Sequence, residues 1–118
     1  MISNTTQLES VFERNLWMKW DYNLLSSSKY ITWDMISKNL TKPWNWTNLS
    51  KNEVITFDII EEYPFLKWDW SSITQNPNIT FKIISENIKY QWDYYILRDR
   101  LSNDDYKTLI LKRDQKSS

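Results

Sequence analysis

The sequence predicts an all-α protein, a row of short helix pairs stacked as a small α-solenoid. Three observations predict it. Residues 31–54, 55–78 and 79–102 repeat at a spacing of 24 with no insertion; they open ITWDMI, ITFDII and ITFKII and run on to PWNW, KWDW and QWDY. A fixed period of this kind marks a stacked repeat, in which each unit buries its apolar face only against its neighbours. Each unit also carries two helix-start residues, a Thr in its first half and an Asp or Asn in its second. Apolar residues flank each start at the spacing of a hydrophobic staple.

The elements follow in chain order. Thr6 and Glu9 form a capping box for a helix over 6–15 that carries Leu8, Val11, Phe12 and Leu16. Lys19, Trp20, Asp21 and Tyr22, with Leu25, match the second half of a unit and predict a helix over 21–28. In the first full unit Thr32 caps 32–39 between the staple residues Ile31 and Ile36, and Asn45 caps 45–51 between Trp44 and Leu49. In the next, Thr56 caps 56–62 with Ile55 and Ile60 as staple, Asp58 suits the helix dipole, and Pro64 ends the helix. Asp69 caps 69–75 between Trp68 and Ile73, and Asn76 with Pro77 is expected to close it in a left-handed cap. Thr80 and Asp93 then cap 80–87 and 93–101, with Ile79 and Ile84, then Trp92 and Leu97, as staples. Ser102 and Asp105 start a terminal helix over 103–112 with Tyr106, Leu109 and Ile110. The units fall at about 7–30, 31–54, 55–78 and 79–102 of one domain, 1–118, and no strand is expected. Residues 1–4 and 113–118 read as disordered ends. Helices this short are marginal alone, so stacking must supply the stability. With no Ala or Gly to allow close approach, bulky Trp, Phe and Ile are expected to fill the space between helices, Trp44, Trp68 and Trp92 above all and Trp17 and Trp33 less so.

Composition narrows the chemistry. Fifteen basic residues balance fifteen acidic ones, which argues against nucleic acid, whose binding rests on cationic neutralisation of phosphates. Lys112 and Arg113 read as a solvated helix end. Without Cys or His there is no disulfide, no zinc set and no common general base; without Gly there is no phosphate loop or dinucleotide fingerprint. No cofactor, metal or small-molecule substrate is therefore expected. No run approaches the roughly 18 apolar residues of a membrane span, and the first twenty hold no signal-like apolar core. An intracellular, non-secreted protein with no membrane partner is expected, and the five Asn-x-Ser/Thr triplets at Asn4, Asn39, Asn45, Asn48 and Asn78 should be unmodified. Asp21, Asp69 and Asp93 recur at one position, yet Asn45 fills the fourth place. A catalytic carboxylate is not replaceable by an amide, whereas Asn and Asp cap equally well. Asp34 and Asp58 read as solvated first-turn acids, so the chain is expected not to be an enzyme.

The run ITFDIIEEYPFLKWDW followed by SSITQNPNIT resembles a tandem repeat of proteins from the nucleocytoplasmic large DNA viruses, the giant-virus group. The resemblance covers about residues 16–102 and is most specific through 44–81. The third copy departs, with Tyr94 for the second Trp and Arg98-Asp99-Arg100 for the Asn-Pro closure, as suits a terminal unit. The resemblance implies a helical solenoid with no established activity. By analogy it implies a protein–protein interaction module or a virion structural component, in the infected host cytoplasm or the virion, with a viral structural or host protein as partner. A carbohydrate-binding module using exposed aromatics is the alternative. Units differ most at 39–43, 63–67 and 87–91, so these segments, with Tyr63 and Tyr90 as aromatic anchors, are the expected partner-binding residues.

Overall fold

The structure is a computed structural model that describes the backbone of residues 4–116 and the side chains of residues 7–115. Among these residues helices are the only regular elements, with no strand. The helices are α1 (Asn4–Arg14), α2 (Tyr22–Ser27), α3 (Trp33–Ser37), α4 (Trp46–Ser50), α5 (Phe57–Glu62), α6 (Trp70–Gln75), α7 (Phe81–Glu86), α8 (Tyr94–Arg100) and α9 (Asn103–Lys116). They form an elongated body of 52 × 29 × 20 Å.

The cap residues act as their types demand. Thr32, Thr56 and Thr80 accept from the backbone N–H groups of Met35, Ile59 and Ile83. Asn45 and Asp69 accept from those of Asn48 and Ser72, and Asp21 and Asp93 each accept from two. Ser102 Oγ accepts from Asp105 N–H at 3.2 Å and so starts α9. The staple pairs close over these caps: Ile31, Ile36, Ile55, Ile60, Ile73, Ile79, Ile84 and Leu97 are buried in one continuous core.

The helices lie in two rows. In the second row, made of the second helix of each unit, α2, α4, α6 and α8 each pack closely on the next. In the other, α1 packs on α3, and α9 packs on both α7 and α8. Between these ends the first row is bridged by rings. Trp33 stacks on Trp68 of the following unit at 6.3 Å, and Phe57 on Trp92 at 6.2 Å. The second row has small residues at its contact surface as well: Ser26, Ser50 and Thr74 are all completely buried. Rings therefore lie between units in both rows, with Tyr22, Trp46 and Trp70 edge-on to Trp44, Trp68 and Trp92 in the second, where Ser and Thr also give the close approach that Ala would.

Several expectations are corrected. Helix α1 already includes Asn4, so Thr6 lies inside it and is not its cap; its side chain is outside the described residues. Glu9 accepts instead from Thr32 Oγ1 at 3.0 Å, tying α1 to the cap of α3. Residues 113–116 continue α9, and 1–3 and 117–118 lie outside the described residues. Lys112 and Arg113 are not a free helix end: the Lys112 ammonium donates to the Ser85 carbonyl, and Arg113 lies over the Tyr94 ring at 4.5 Å. Asn76 is extended, with φ −67° and ψ 128°, and no described residue has positive φ. It is fully buried, and its Nδ2 donates to the carbonyls of Ser50 (3.0 Å), Asn52 (3.0 Å) and Ile55 (3.2 Å) in the preceding unit. Asn52 binds Ser26 O and Ser28 O one unit earlier. One unit later Arg100 takes over, Nη1 to Thr74 O at 2.8 Å and Nη2 to Asn76 O at 3.1 Å. The departure of the third copy thus preserves the clamp with a different donor. Burial pushes the Arg100 pKa down from its usual value.

Candidate functional site

The connections from first-row to second-row helices, residues 15–19, 39–43, 63–67 and 87–91, recur along one edge. Each is braced from beneath by the tryptophan that follows it. Trp20, Trp44, Trp68 and Trp92 donate from Nε1 to the carbonyls of Asn15 (2.9 Å), Asn39 (2.9 Å), Tyr63 (2.8 Å) and Asn87 (2.9 Å). Lys42 Nζ crosses to Leu16 O at 3.4 Å and joins the first connection to the second. The edge is therefore a rigid surface made of loops.

The two sequence-predicted anchors sit within it differently. Tyr63 is half-buried, its ring edge-on to Trp33 at 5.3 Å and to Phe65 at 6.2 Å. Tyr90 is also half-buried and lies flat on Trp70 at 5.0 Å, while its hydroxyl donates to Glu61 Oε2 at 3.3 Å. Burial, followed by the Glu61 charge and that hydrogen bond, pushes the Tyr90 pKa up. The freely presented rings are others. Trp17 is 82% exposed and Phe65 is 77% exposed. They occupy the same place in their units, which Thr41 and Lys89 fill elsewhere. Tyr63 buttresses Phe65. The signal for Trp17 and Phe65 was present in the sequence: a position that takes Trp, Thr, Phe and Lys in turn is not bound by packing.

Every connection also carries one lysine, Lys19, Lys42, Lys67 or Lys89, and none carries an acid. Lys19, Lys67 and Lys89 are exposed. The connections themselves thus carry only positive side-chain charge, with Glu61 held beside them by Tyr90 and Glu62 and Glu86 exposed at the ends of α5 and α7. Between the second and third connections lies an open groove of 330 Å³, floored by Trp44 and Trp46 and walled by Leu40, Pro43, Phe65 and Lys67.

The recurring acids are engaged as caps. Asp69 Oδ2 and Asp93 Oδ2 also accept from Thr47 Oγ1 (3.3 Å) and Ser71 Oγ (2.7 Å) of the preceding unit. Where the cap is Asn45, the partner is an acceptor, Asn23 Oδ1, which receives Asn45 Nδ2 at 2.8 Å. Partner polarity follows cap polarity. Asp34 and Asp58 are exposed, and Asp34 meets Lys38 at 3.9 Å in a solvated pair. Among the described residues no three Asp or Glu side chains converge as a metal set, and no helix is long and apolar enough to cross a membrane. Compared with protein-family models, curated proteins and solved structures, the chain matches none.

Proposed function

We propose that this chain is a non-catalytic repeat module that binds another protein along its loop edge, as an interaction component or as a structural part of a virion. The observation that supports it is the pair Trp17 and Phe65, two exposed rings at one repeated position, beside a lysine in every connection. Exposed aromatics on a braced scaffold are the usual anchors of protein interfaces. Tyr63 and Tyr90 act beneath them, as the rim and support of the same surface. The exposed loop lysines Lys19, Lys67 and Lys89 fit acidic groups on a partner segment, from a viral structural or host protein, in infected cytoplasm or in the particle.

The test is a paired substitution. Trp17→Ser with Phe65→Ser should abolish capture of the native partner, identified by mass spectrometry from infected cells, with the melting temperature unchanged. Tyr63→Ser with Tyr90→Ser should weaken capture and also lower the melting temperature, because both rings pack against neighbouring units. Full capture by the first variant overturns the assignment of the edge. Exposure of Trp17 also suits sugar stacking, and selective, saturable hits on a glycan array would replace the protein reading with a carbohydrate one.

A further inference from the structure

The second row has a repeated interface with two distinct sides. Its rear side is presented by each later unit. It consists of a tryptophan (Trp44, Trp68 or Trp92), a cap residue (Asn45, Asp69 or Asp93) and a clamp residue (Asn52, Asn76 or Arg100). Its front side is presented by the unit before. There an aromatic, Tyr22, Trp46 or Trp70, sets its ring at 4.9 to 5.3 Å from the later tryptophan in an edge-on contact. A buried hydroxyl of Ser26, Ser50 or Thr74 accepts the cap backbone N–H at 3.0, 2.9 and 3.1 Å. Backbone carbonyls receive the clamp.

Helix α2 carries the same rear side without a predecessor among the described residues. Trp20, Asp21 and Ser28 stand where the tryptophan, cap and clamp stand in later units. Leu24 occupies the place of Asn48, whose Nδ2 reaches back to Asn23 O at 3.5 Å, and of Ser72, which is buried. Leu24 is 71% exposed, and a 300 Å³ groove runs between Trp20, Asp21, Leu24 and Ser28. No described hydroxyl receives the Asp21 N–H as Ser26, Ser50 and Thr74 receive those of later caps.

From this continuity, which is independent of the loop edge, we infer that the rear of α2 docks one further helix of the same repeat type. The occupant is specified by the internal interfaces: Trp or Tyr, then Ser or Thr to donate to the Asp21 carboxylate, then Ser or Thr three residues on to accept its N–H. A second copy of this chain does not supply it. The front of α8 carries Tyr95 and Arg98 in those hydroxyl places, and α9 already fills the first-row place that α1 of a following copy would take. Tyr95 is 79% exposed there.

The probe is a capped peptide of this chain's own α6 segment, residues 67–78, added to the ¹⁵N-labelled full chain. Saturable amide shifts confined to residues 18–28 are expected. A peptide with Ser71→Ala and Thr74→Val should bind at least tenfold more weakly, and Leu24→Lys in the chain should remove binding with its helical spectrum unchanged. No shifts at millimolar peptide, shifts centred elsewhere, or equal binding by the two peptides would overturn the inference. Self-association of the free chain that Leu24→Lys dissolves would make a second copy the occupant and overturn it equally.

Discussion

A first-row helix closes its own C-terminal end, whereas a second-row helix leaves that end to the next unit. In the first row Asn39 Nδ2 folds back to Met35 O at 2.9 Å, and Asn87 Nδ2 to Ile83 O at 2.8 Å. In the second row the carbonyls at the ends of α2, α4 and α6 accept from Asn52, Asn76 and Arg100 of the following unit. A helix of five or six residues has mostly orphan backbone groups, since about four N–H and four C=O groups per helix lack internal partners. Such helices can be buried only if side chains supply the missing partners. Where they come from within the unit, neighbours are coupled chiefly by apolar packing, with single side-chain bonds such as Thr32 to Glu9 and Lys112 to Ser85 O. Where they come from the next unit, the polar accounting itself couples neighbours. The second row is therefore the spine, and the first row is free to carry variable loops.

The largest expected effect tests this division. Asn76→Asp keeps the shape but points a carboxylate at three carbonyls in a fully buried site. It should cost about 3–5 kcal/mol, as for an uncompensated buried charge. Asn39→Asp in the first row should cost only about 1 kcal/mol, one ordinary hydrogen bond. Urea unfolding of both variants decides it; equal costs would mean the rows are not different.

A smaller effect compares the contact surfaces. Thr74→Val leaves the Asp93 N–H without its buried acceptor and should cost about 1–3 kcal/mol despite the matched shape. Ile60→Val in the first-row core should cost about 0.5–1.5 kcal/mol. If the valine at 74 proved neutral, the polar spine would be incidental to stability.

The caps give the next effect. Asp69→Ala should cost about 1 kcal/mol and Asp69→Asn little, since Asn45 does the same work. Asparagine as damaging as alanine would show that the charge, and not the cap, is what matters.

The smallest effect is on pH. Asp93 is held below the usual carboxylate value, chiefly by the Ser71 hydroxyl and further by the N–H groups of Ile96 and Tyr95, against the opposite effect of burial. A depressed carboxylate contributes stability that is present above its unfolded pKa and is lost as pH falls through the folded one. With no histidine, stability should be flat from about pH 5 to 8. It should decline below about pH 3.9, the ordinary Asp value. Ser71→Ala should reduce that acid dependence, and melting curves across the range would show it.

The helix positions were legible because their signals are local. A Thr or Asp cap, a staple and a proline act within one turn of chain, so Thr56, Ile55, Ile60 and Pro64 specify α5 without reference to anything else. The N-terminal boundary was misread because Thr6-x-x-Glu9 matches a capping box, while Glu9 is used across the first row by Thr32. The candidate edge was legible as the variable part of the unit. Which of its rings face outward was not, since Tyr63, Phe65 and Tyr90 are chemically alike and only their neighbours tell them apart.

By itself, then, the sequence determined the period, the helix class, the caps and the staples, all of which depend on residues a few positions apart. Tertiary structure alone decided the tasks of Asn52, Asn76 and Arg100. Their partners lie 21 to 26 residues away in the chain, at carbonyls that any residue type could supply. A backbone acceptor leaves no mark in the amino-acid code. An Asn that clamps a neighbouring unit therefore reads, in one dimension, like an Asn that ends its own helix.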